Sequence, residues 1–381
     1  ISLPHADTFL QRYGFIAPGL LEEPLSYLMT DRGNSPHHLA IVLLFLFALL
    51  LIRAAYVKWR IHRDRAGIPL TVGGWGTRGK SGTERLKAGM FQGLGYDVVV
   101  KTTGCEAMFI HCSAGRPATE VFIFRPGGKA TIWEQGDVIR IAARLKTQVM
   151  LWECMALRPR FVEILNHDWM RDELTTLTNA YPDHEDVMGP SGEDVARVIG
   201  EFMAKGGTTI TTEEQMLPIL RERAAHFGTE LIEVTPLEAD LIPQDLLERF
   251  PYEEHPRNIA LVAKLAETLG VDRERAIVEM ADNVVADIGV LKTYPATTYR
   301  TRVLQFSNGM SANERAGFLA SWTRLGFHTH DADEEPQTSV VTVVNNREDR
   351  VPRSRVFARI MVNDISADRH VLIGTNLNGL M

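Results

Sequence analysis

One segment of the chain carries a pattern for phosphate binding. Residues Gly74–Ser81 read GWGTRGKS and satisfy G-x-x-x-x-G-K-[ST]. A short β-leaning stretch precedes them and a helix-compatible stretch follows, which is the setting that the pattern requires. Backbone N–H groups of such a loop and the N-terminus of the helix bind phosphate oxygens. We therefore expect Lys80 to reach the β- and γ-phosphates of a nucleoside triphosphate and Ser81 to hold Mg²⁺, with a glycine-rich turn as the alternative.

A carboxylate ends a second apolar segment. Val149–Glu153 is apolar on both faces, and Glu153 opens the sequence ECMALRP. Ligands of open α/β sheets bind at the carboxyl ends of the strands, and Mg²⁺ prefers oxygen ligands. Glu153 is therefore a candidate magnesium ligand, and a surface glutamate at a strand end is the alternative.

Two further polar clusters follow or begin apolar segments. The sequence NAYPDHED at 179–186 follows another predicted strand and contains His184. It predicts either a ligand cluster or an ordinary turn with a solvated histidine. Asn258 stands at the start of a helix, where its amide either contacts adenine or caps the helix. These patterns leave both alternatives open.

Strands and helices alternate from about residue 66, which is typical of an α/β fold with a mostly parallel sheet. The pattern restarts near residue 291 as a second, smaller α/β set. The expected organisation is an external arm at 1–37, a transmembrane helix at 38–59, a central ATP-binding domain at 60–290 and a smaller C-terminal α/β domain at 291–381.

One apolar run departs from the composition of a soluble domain. Leu39–Ile52 contains no charged residue, and the apolar character continues for roughly 20 residues in total. Tyr56 and Trp59 lie where an aromatic belt is expected, and basic residues follow. The positive-inside bias places the N-terminus outside the cell membrane and the phosphate loop in the cytoplasm. A buried core helix is the alternative to this single-pass anchor.

Composition excludes some classes of function. The net charge of −7 provides no basic field for broad nucleic-acid binding. Three cysteines are too few for a disulfide framework or a zinc ribbon, and they fit a reducing compartment.

Taken in order, the motifs resemble those of the Mur ligase superfamily. Within it, the chain is most similar to the membrane-associated ligase subunits of poly-γ-glutamate synthases. The similarity runs over roughly residues 66–375, and its most specific part is the ordered pair ECMALRP and NAYPDHEDVMGP. The segments that carry it are Gly76–Ser81, Lys101–Gly104, Glu153–Pro159, Asn179–Pro190, Asn258 and Asn345–Arg350.

The resemblance implies roles for individual residues. Catalysis would depend on Lys80, Glu153 and His184, and Mg²⁺ would be surrounded by Ser81, Glu153 and His184. Asn308 and Asn313 would be weaker candidates facing nucleotide or substrate. The residues implied at ATP are Gly76, Thr77, Arg78, Gly79, Lys80, Ser81, Asn258, Arg347 and Asp349.

The sequence also departs from the family pattern. Gly82 stands where a second hydroxyl residue is usual, and Arg197–Ile199 lacks the lysine that many relatives carbamylate. Asn308 and Met310 replace an acid and a lysine of some relatives. The chain stops at Met381, soon after a predicted strand, which suggests an abbreviated C-terminal domain or a fragment.

The resemblance implies an ATP-dependent ligase that activates a carboxylate as an acyl phosphate and joins it to the amine of glutamate. The product would be poly-γ-glutamate, made from glutamate or a growing chain and exported with other membrane subunits; a homo-oligomer stays open. Asp183, Asp186 or Glu106 could deprotonate the amine, and the sequence does not choose among them. The alternatives are a membrane-anchored P-loop ATPase or kinase, and a non-catalytic ATP-binding scaffold.

Overall fold

The chain forms two compact units, Ile1–Asp64 and Arg65–Met381. The first contains most of one long helix, and the second contains the sheet and the later elements. The computed structural model describes residues 36–103, 107–125, 130–182, 184–312, 315–348, 351–375 and 377.

The described part of the first unit is helix α1, which spans Pro36–Ala66 and has 31 residues. At 1.5 Å per residue it is about 46 Å long, which exceeds the hydrocarbon core of a bilayer at about 30 Å. The helix continues past the predicted span of 38–59 because no glycine or proline interrupts it before Gly67. By length and composition, α1 fits a single-pass membrane anchor.

The second unit is built on an eight-stranded sheet with the order β4-β3-β2-β5-β1-β6-β7-β8. The six strands from β2 to β8 in this order are parallel, and β3 and β4 add an antiparallel edge. The predicted mostly parallel sheet is therefore confirmed. Its strands are Leu70–Trp75 (β1), Val98–Thr102 (β2), Met108–Cys112 (β3), Thr119–Phe122 (β4), Val149–Glu153 (β5), Leu174–Leu177 (β6), Thr208–Thr211 (β7) and Glu230–Glu233 (β8).

Helices connect the parallel strands and cover the sheet. A π-helical segment, Ile164–Met170, directly follows the short helix Pro159–Glu163, and a short 3₁₀ turn spans Phe327–Thr329. The helices are Lys80–Gly93 (α2), Trp133–Leu145 (α3), Pro159–Glu163 (α4), Glu185–Met188 (α5), Gly192–Gly200 (α6), Leu217–Phe227 (α7), Pro236–Asp240 (α8), Gln244–Glu248 (α9), Pro256–Thr268 (α10), Arg273–Asn283 (α11), Arg315–Arg324 (α12) and Val351–Asn363 (α13).

The main hydrophobic core lies between one face of the sheet and helices α2, α10 and α11. Successive strand residues point to opposite faces. Val98 and Val100 of β2 therefore enter this core, whereas Val99 and Lys101 lie on the other face. Burial of these apolar side chains stabilises the packing of α2, the helix after the phosphate loop, on the sheet.

The residues after 291 form smaller sheets. Short antiparallel pairs join Thr297–Tyr299 (β10) to Arg302–Leu304 (β11), and Ser307–Asn308 (β12) to Lys292–Thr293 (β9). A parallel pair then follows, with α13 between its two strands. A second α/β set after the central sheet is thus present, and its boundary at 290/291 stays a prediction. The strands of the parallel pair are Val341–Asn346 (β13) and Arg369–Gly374 (β14).

A buried acid sits beneath the middle of the sheet. Asp172 is 5% exposed, and the indole N–H of Trp152 donates to its Oδ2 at 2.6 Å. Gly73 leaves room for it, because a Cβ at residue 73 would lie 2.6 Å from that oxygen. Burial raises the pKa of Asp172 from 3.8 to about 6.

This raised pKa predicts a pH dependence of stability. The folded state retains the proton of Asp172 when the unfolded state has lost it, so stability falls as pH rises from about 3.8 to about 6. We expect the free energy of unfolding of the wild type to fall relative to that of Asp172→Asn by about 3 kcal/mol across this window. Urea unfolding of the detergent-solubilised proteins at several pH values measures this difference, and parallel curves would contradict it.

Candidate active site

The phosphate loop connects β1 to α2 at the carboxyl edge of the sheet, as the sequence predicts. Gly76 and Gly79 have φ values of 140° and 81°, which are conformations that favour glycine. A Cβ at Gly76 would lie 2.0 Å from the Thr178 hydroxyl oxygen, and one at Gly79 would lie 2.7 Å from Asn258 Oδ1. Both glycines are therefore required by backbone conformation and by close neighbours.

The loop is tied to the segment that follows β6. The hydroxyl of Thr77 donates to Asn179 Oδ1 at 2.6 Å, and the backbone N–H of Arg78 donates to the same oxygen at 2.9 Å. The N–H of Tyr181 donates in turn to Thr77 Oγ1 at 3.0 Å. Asn179, the first residue of the NAYPDHED motif, thus holds the conformation of the phosphate loop.

The carboxylate of Glu153 lies directly beside the start of α2. It is fully buried, and the hydroxyl of Ser81 donates to its Oε2 at 2.7 Å. The N–H of Thr103 donates to the same oxygen at 2.7 Å, and the Thr103 hydroxyl donates to Oε1. The predicted proximity of Ser81 and Glu153 is therefore present. Thr103 was not predicted, although its position just after β2, the neighbour of β5, marks the same edge.

This set of oxygens fits a magnesium ion. Mg²⁺ is commonly held by one or two carboxylates together with substrate phosphates and waters. Around Ser81, one carboxylate and two hydroxyls converge beside the phosphate loop. Over the described ranges, no three His, Cys, Asp or Glu side chains form a metal cluster. The chemistry of the residues present thus suits a cation that is completed by a bound triphosphate.

Lys80 and His184 occupy the outer part of this edge. Lys80 is the first residue of α2 and is partly exposed, and its Nζ lies 3.5 Å from the carbonyl oxygen of Thr77. His184 follows Asn179 by five residues and has an exposed side chain and a φ of 49°. Its carbonyl oxygen accepts from the N–H groups of Val187 and Met188. Its role as a metal ligand stays a prediction.

Asn258 packs against the phosphate loop. The alternative that Asn258 caps its helix is wrong, because α10 begins at Pro256 and His255 caps it through a bond from the N–H of Arg257 at 3.2 Å. The amide of Asn258 donates to Glu254 Oε1 at 2.9 Å, and its oxygen faces Gly79. Its contact with adenine stays a prediction.

Glu254 is a second residue that the sequence patterns did not indicate. Its buried carboxylate also accepts from the N–H of His255 at 2.8 Å and from the Tyr252 hydroxyl at 2.8 Å. Its carbonyl oxygen accepts from Arg324 of α12 at 2.8 Å. The chain Arg324–Glu254–Asn258 therefore links the C-terminal elements to the phosphate loop.

The remaining predicted site residues belong to the C-terminal elements or to segments that the structure describes only in part. Arg347 is exposed after β13. Asn308 is buried at the end of β12, where its amide donates to the Ile288 carbonyl at 2.7 Å and its oxygen accepts from the N–H of Met310. Its role facing nucleotide or substrate stays a prediction. Outside the described residues or side chains lie Asp349, Asn313, Asp183, Glu106 and the carboxylate of Asp186.

A polar cavity lies beside the loop. Its volume is about 230 Å³, and Tyr181, which bonds to Thr77, forms part of its wall. Arg257 and Glu214, which form an ion pair, also line it. Its remaining lining residues are Thr212, Glu213 and Gln215.

We expect Glu254→Gln to weaken nucleotide binding, because the neutral amide no longer accepts two hydrogen bonds at one charged oxygen and Asn258 loses its position against Gly79. Loss of a hydrogen bond to a charged group predicts about a tenfold rise in the Kd for AMPPCP. Glu222→Gln is the matched control, since Glu222 is exposed on α7. Titration calorimetry measures both constants; equal affinities of Glu254→Gln and wild type would contradict this role.

The comparisons with known proteins agree with this architecture. Residues 293–381 match the family model of the poly-gamma-glutamate synthase CapB C-terminal domain. The chain is 28% identical over 336 residues to PGA synthase CapB of Bacillus subtilis (strain 168), covering 87% of this chain and 81% of that protein. It is 31% identical over 316 residues to capsule biosynthesis protein CapB of Bacillus anthracis, covering 83% of this chain and 65% of that protein. The chain thus spans slightly less than two thirds of the second relative.

Solved structures share the fold. Folylpolyglutamate synthase from Thermotoga maritima has a TM-score of 0.56 at 12% identity, covering 89% of this chain and 84% of that one. An FPGS complex with AMPPCP and folate has a TM-score of 0.54 at 12% identity, covering 82% of each chain. E. coli FolC in complex with ADP has a TM-score of 0.53 at 14% identity, covering 87% of this chain and 92% of that one. The chain is similar to the CapB proteins over most of its length and has the Mur ligase-like fold of the folylpolyglutamate synthases.

Proposed function

We propose that the chain is an ATP-dependent acid–amino-acid ligase. It joins the γ-carboxyl of glutamate, or of a growing polyglutamate chain, to the amine of another glutamate and so builds poly-γ-glutamate. The observation that carries this proposal is the convergence of Ser81, Thr103 and Glu153 beside a phosphate loop. The similarity to the CapB proteins supports the choice of glutamate as the substrate.

ATP is required because a free carboxylate does not react with an amine, as oxide is a poor leaving group. Transfer of the γ-phosphoryl group to the carboxylate gives an acyl phosphate, from which the attacking amine displaces phosphate. The protein contributes positioning and neutralisation of charge. Lys80 would move from the Thr77 carbonyl to the β- and γ-phosphates. The N-cap residue of α2 is Gly79, which has no side chain to accept from the N–H groups at the start of the helix, so these groups can donate to phosphate oxygens.

Magnesium belongs to the same site. When bound, Mg²⁺ supplies positive charge to the β- and γ-phosphate oxygens. Ser81 and Glu153 would hold it, and Thr103 would orient the carboxylate of Glu153. His184 would approach from the segment after β6, which Asn179 already attaches to the phosphate loop.

The nucleoside would lie beside Tyr181 and Asn258. The cavity next to Tyr181 adjoins the phosphate loop. The Tyr181 ring suits a base, and the polar side chains of the lining suit a ribose. The acceptor amine must be neutral to attack. Asp183, Asp186 and Glu106 stay the candidate bases.

The helix α1 would anchor the enzyme in the cell membrane, with the N-terminus outside and the phosphate loop in the cytoplasm. The apolar and exposed surface of α1 supports an anchor, and the basic residues that follow Tyr56 support this orientation. A cytoplasmic site has access to ATP. The anionic product would then pass to other membrane subunits.

We expect Lys80→Ala to reduce glutamate-dependent phosphate release at least about a thousandfold, since it removes the cation that stabilises the transferring phosphoryl group. Lys205→Ala, at an exposed turn, is the control and should retain wild-type activity. Phosphate release by membranes containing each variant measures the effect. Near-normal release by Lys80→Ala would remove the phosphate loop from the mechanism.

Hydroxylamine distinguishes the ligase from a P-loop ATPase, kinase or scaffold. An acyl phosphate reacts with hydroxylamine to give a hydroxamate, so we expect γ-glutamyl hydroxamate only when ATP and glutamate or polyglutamate are both present. Mass spectrometry of the products measures it. ATP hydrolysis without hydroxamate would favour the ATPase, and nucleotide binding without hydrolysis would favour the scaffold.

A further inference from the structure

A buried cationic cluster borders the proposed magnesium site. Lys101 of β2 pairs in register with Trp152 of β5, the residue before Glu153. Thr103, two residues after Lys101, donates to Glu153. Met155, two residues after Glu153, contacts the Lys101 ammonium. The cluster therefore lies at the same carboxyl edge as the phosphate loop, beside the carboxylate on which the proposed chemistry depends.

The ammonium of Lys101 has few partners. Its side chain is 2% exposed, and its Nζ lies 3.5 Å from Met155 Sδ and 4.0 Å from Glu134 Oε2. A thioether is a weak acceptor, whereas an ammonium has three donors. Within the part of the chain that the structure describes, Met155 is the only hydrogen-bond acceptor of this ammonium.

Glu134 is already engaged by Arg125. Arg125 Nε donates to Oε1 at 2.9 Å, and its Nη2 donates to Oε2 at 3.0 Å, in the two-point arrangement of an arginine–carboxylate pair. The N–H of Thr131 donates to Oε1 as well, at 3.2 Å. Lys101 and Arg125 thus share the carboxylate of Glu134. The other carboxylate near Lys101 is that of Glu153, which the proposed function assigns to the magnesium ion.

Burial lowers the pKa of the Lys101 ammonium, so an anion that binds beside it stabilises its charged form. The side chain of Arg125 is 18% exposed and that of Lys101 is 2% exposed, so Arg125 is the more accessible of the two cations. The Nη2 of Arg125 also lies 3.8 Å from Met155 Sδ, which brings both cations to the same side chain. This arrangement suits a carboxylate that enters from solvent and binds to Arg125.

We propose that Arg125 and Lys101 form the subsite for the α-carboxylate of the glutamyl residue whose γ-carboxyl is activated. This proposal depends on the proposed ligase function. Arg125 contacts the α-carboxylate, and Lys101 is a positioning residue that offsets the charge of Glu134 and leaves Arg125 attractive to an anion. The subsite selects donors that carry a free α-carboxylate next to the reacting group.

Donor kinetics test the subsite. With tri-γ-glutamate as donor, we expect Arg125→Gln to raise the donor KM about ten- to hundredfold, as for loss of a charged hydrogen bond. The KM for ATP should stay unchanged, and Arg125→Lys should recover part of the donor affinity. Lys101→Met should raise the donor KM in the same direction. Arg116→Gln, at an exposed arginine, is the control.

A substrate change gives the specific readout. Amidation of the α-carboxylate of the terminal donor residue should weaken the wild type about as much as Arg125→Gln does, and should weaken Arg125→Gln little further. A merely structural role of Arg125 would give losses that multiply. Multiplying losses, an unchanged donor KM or an equal rise in the KM for ATP would overturn the subsite.

Equilibrium binding separates this proposal from the ligase function. Binding of tri-γ-glutamate to the detergent-solubilised full chain with AMPPCP requires no turnover. Weaker binding to Arg125→Gln than to the wild type supports the subsite. If the wild type forms no amide, that result contradicts only the proposed reaction and not the subsite. Equal binding to wild type and Arg125→Gln overturns the subsite whether or not the wild type is active.

Discussion

The carboxylate of Glu153 is the constraint on which the site depends. It is fully buried at the end of the central strand β5 and accepts hydrogen bonds from Ser81 and from Thr103. These bonds join three segments: the start of α2 after β1, the end of β2, and β5 itself. A buried carboxylate needs such donors or a cation. The protein thereby places a carboxylate where a magnesium ion bound to a triphosphate would supply positive charge.

The phosphate loop is supported from two sides. Asn179 binds the Thr77–Arg78 part of the loop, and Asn258 packs against Gly79. Glu254 holds Asn258 and also accepts from Arg324 of α12 through its carbonyl oxygen. The C-terminal elements, which match the CapB family model, therefore contact the phosphate loop indirectly, through the hydrogen bonds of Glu254 and the packing of Asn258 on Gly79.

Much of the fold followed from the pattern of the sequence. Alternating apolar segments predicted the mostly parallel sheet, and the strand at Val149–Glu153 was predicted at its observed bounds. Because the carboxyl ends of parallel strands meet at one edge of the sheet, the proximity of Ser81 and Glu153 could be predicted from the sequence alone. The end of α1 could not be predicted from the apolar run, because a helix continues beyond it wherever the polar residues that follow also favour helix.

The contacts that sequence patterns missed are those between distant segments. Lys101 and Thr103 lie in the segment Lys101–Gly104, which carries the family resemblance but gave neither residue a role, and Glu254 lies in none of these segments. Only the packing of β2, β5 and α10 shows what each one touches. Asn258 was expected to cap its helix or contact adenine. Pro256 can begin a helix, which moves the cap to His255 and turns Asn258 towards Gly79.

The central claim is that this site converts a γ-carboxyl into an acyl phosphate. The most direct measurement uses a donor whose γ-carboxylate carries ¹⁸O, with ATP, Mg²⁺ and glutamate, and follows the isotope in the phosphate released. Attack of the carboxylate on the γ-phosphoryl group leaves one labelled oxygen in phosphate when the amide forms, and this transfer is the result the account predicts. Amide formation with unlabelled phosphate would contradict it.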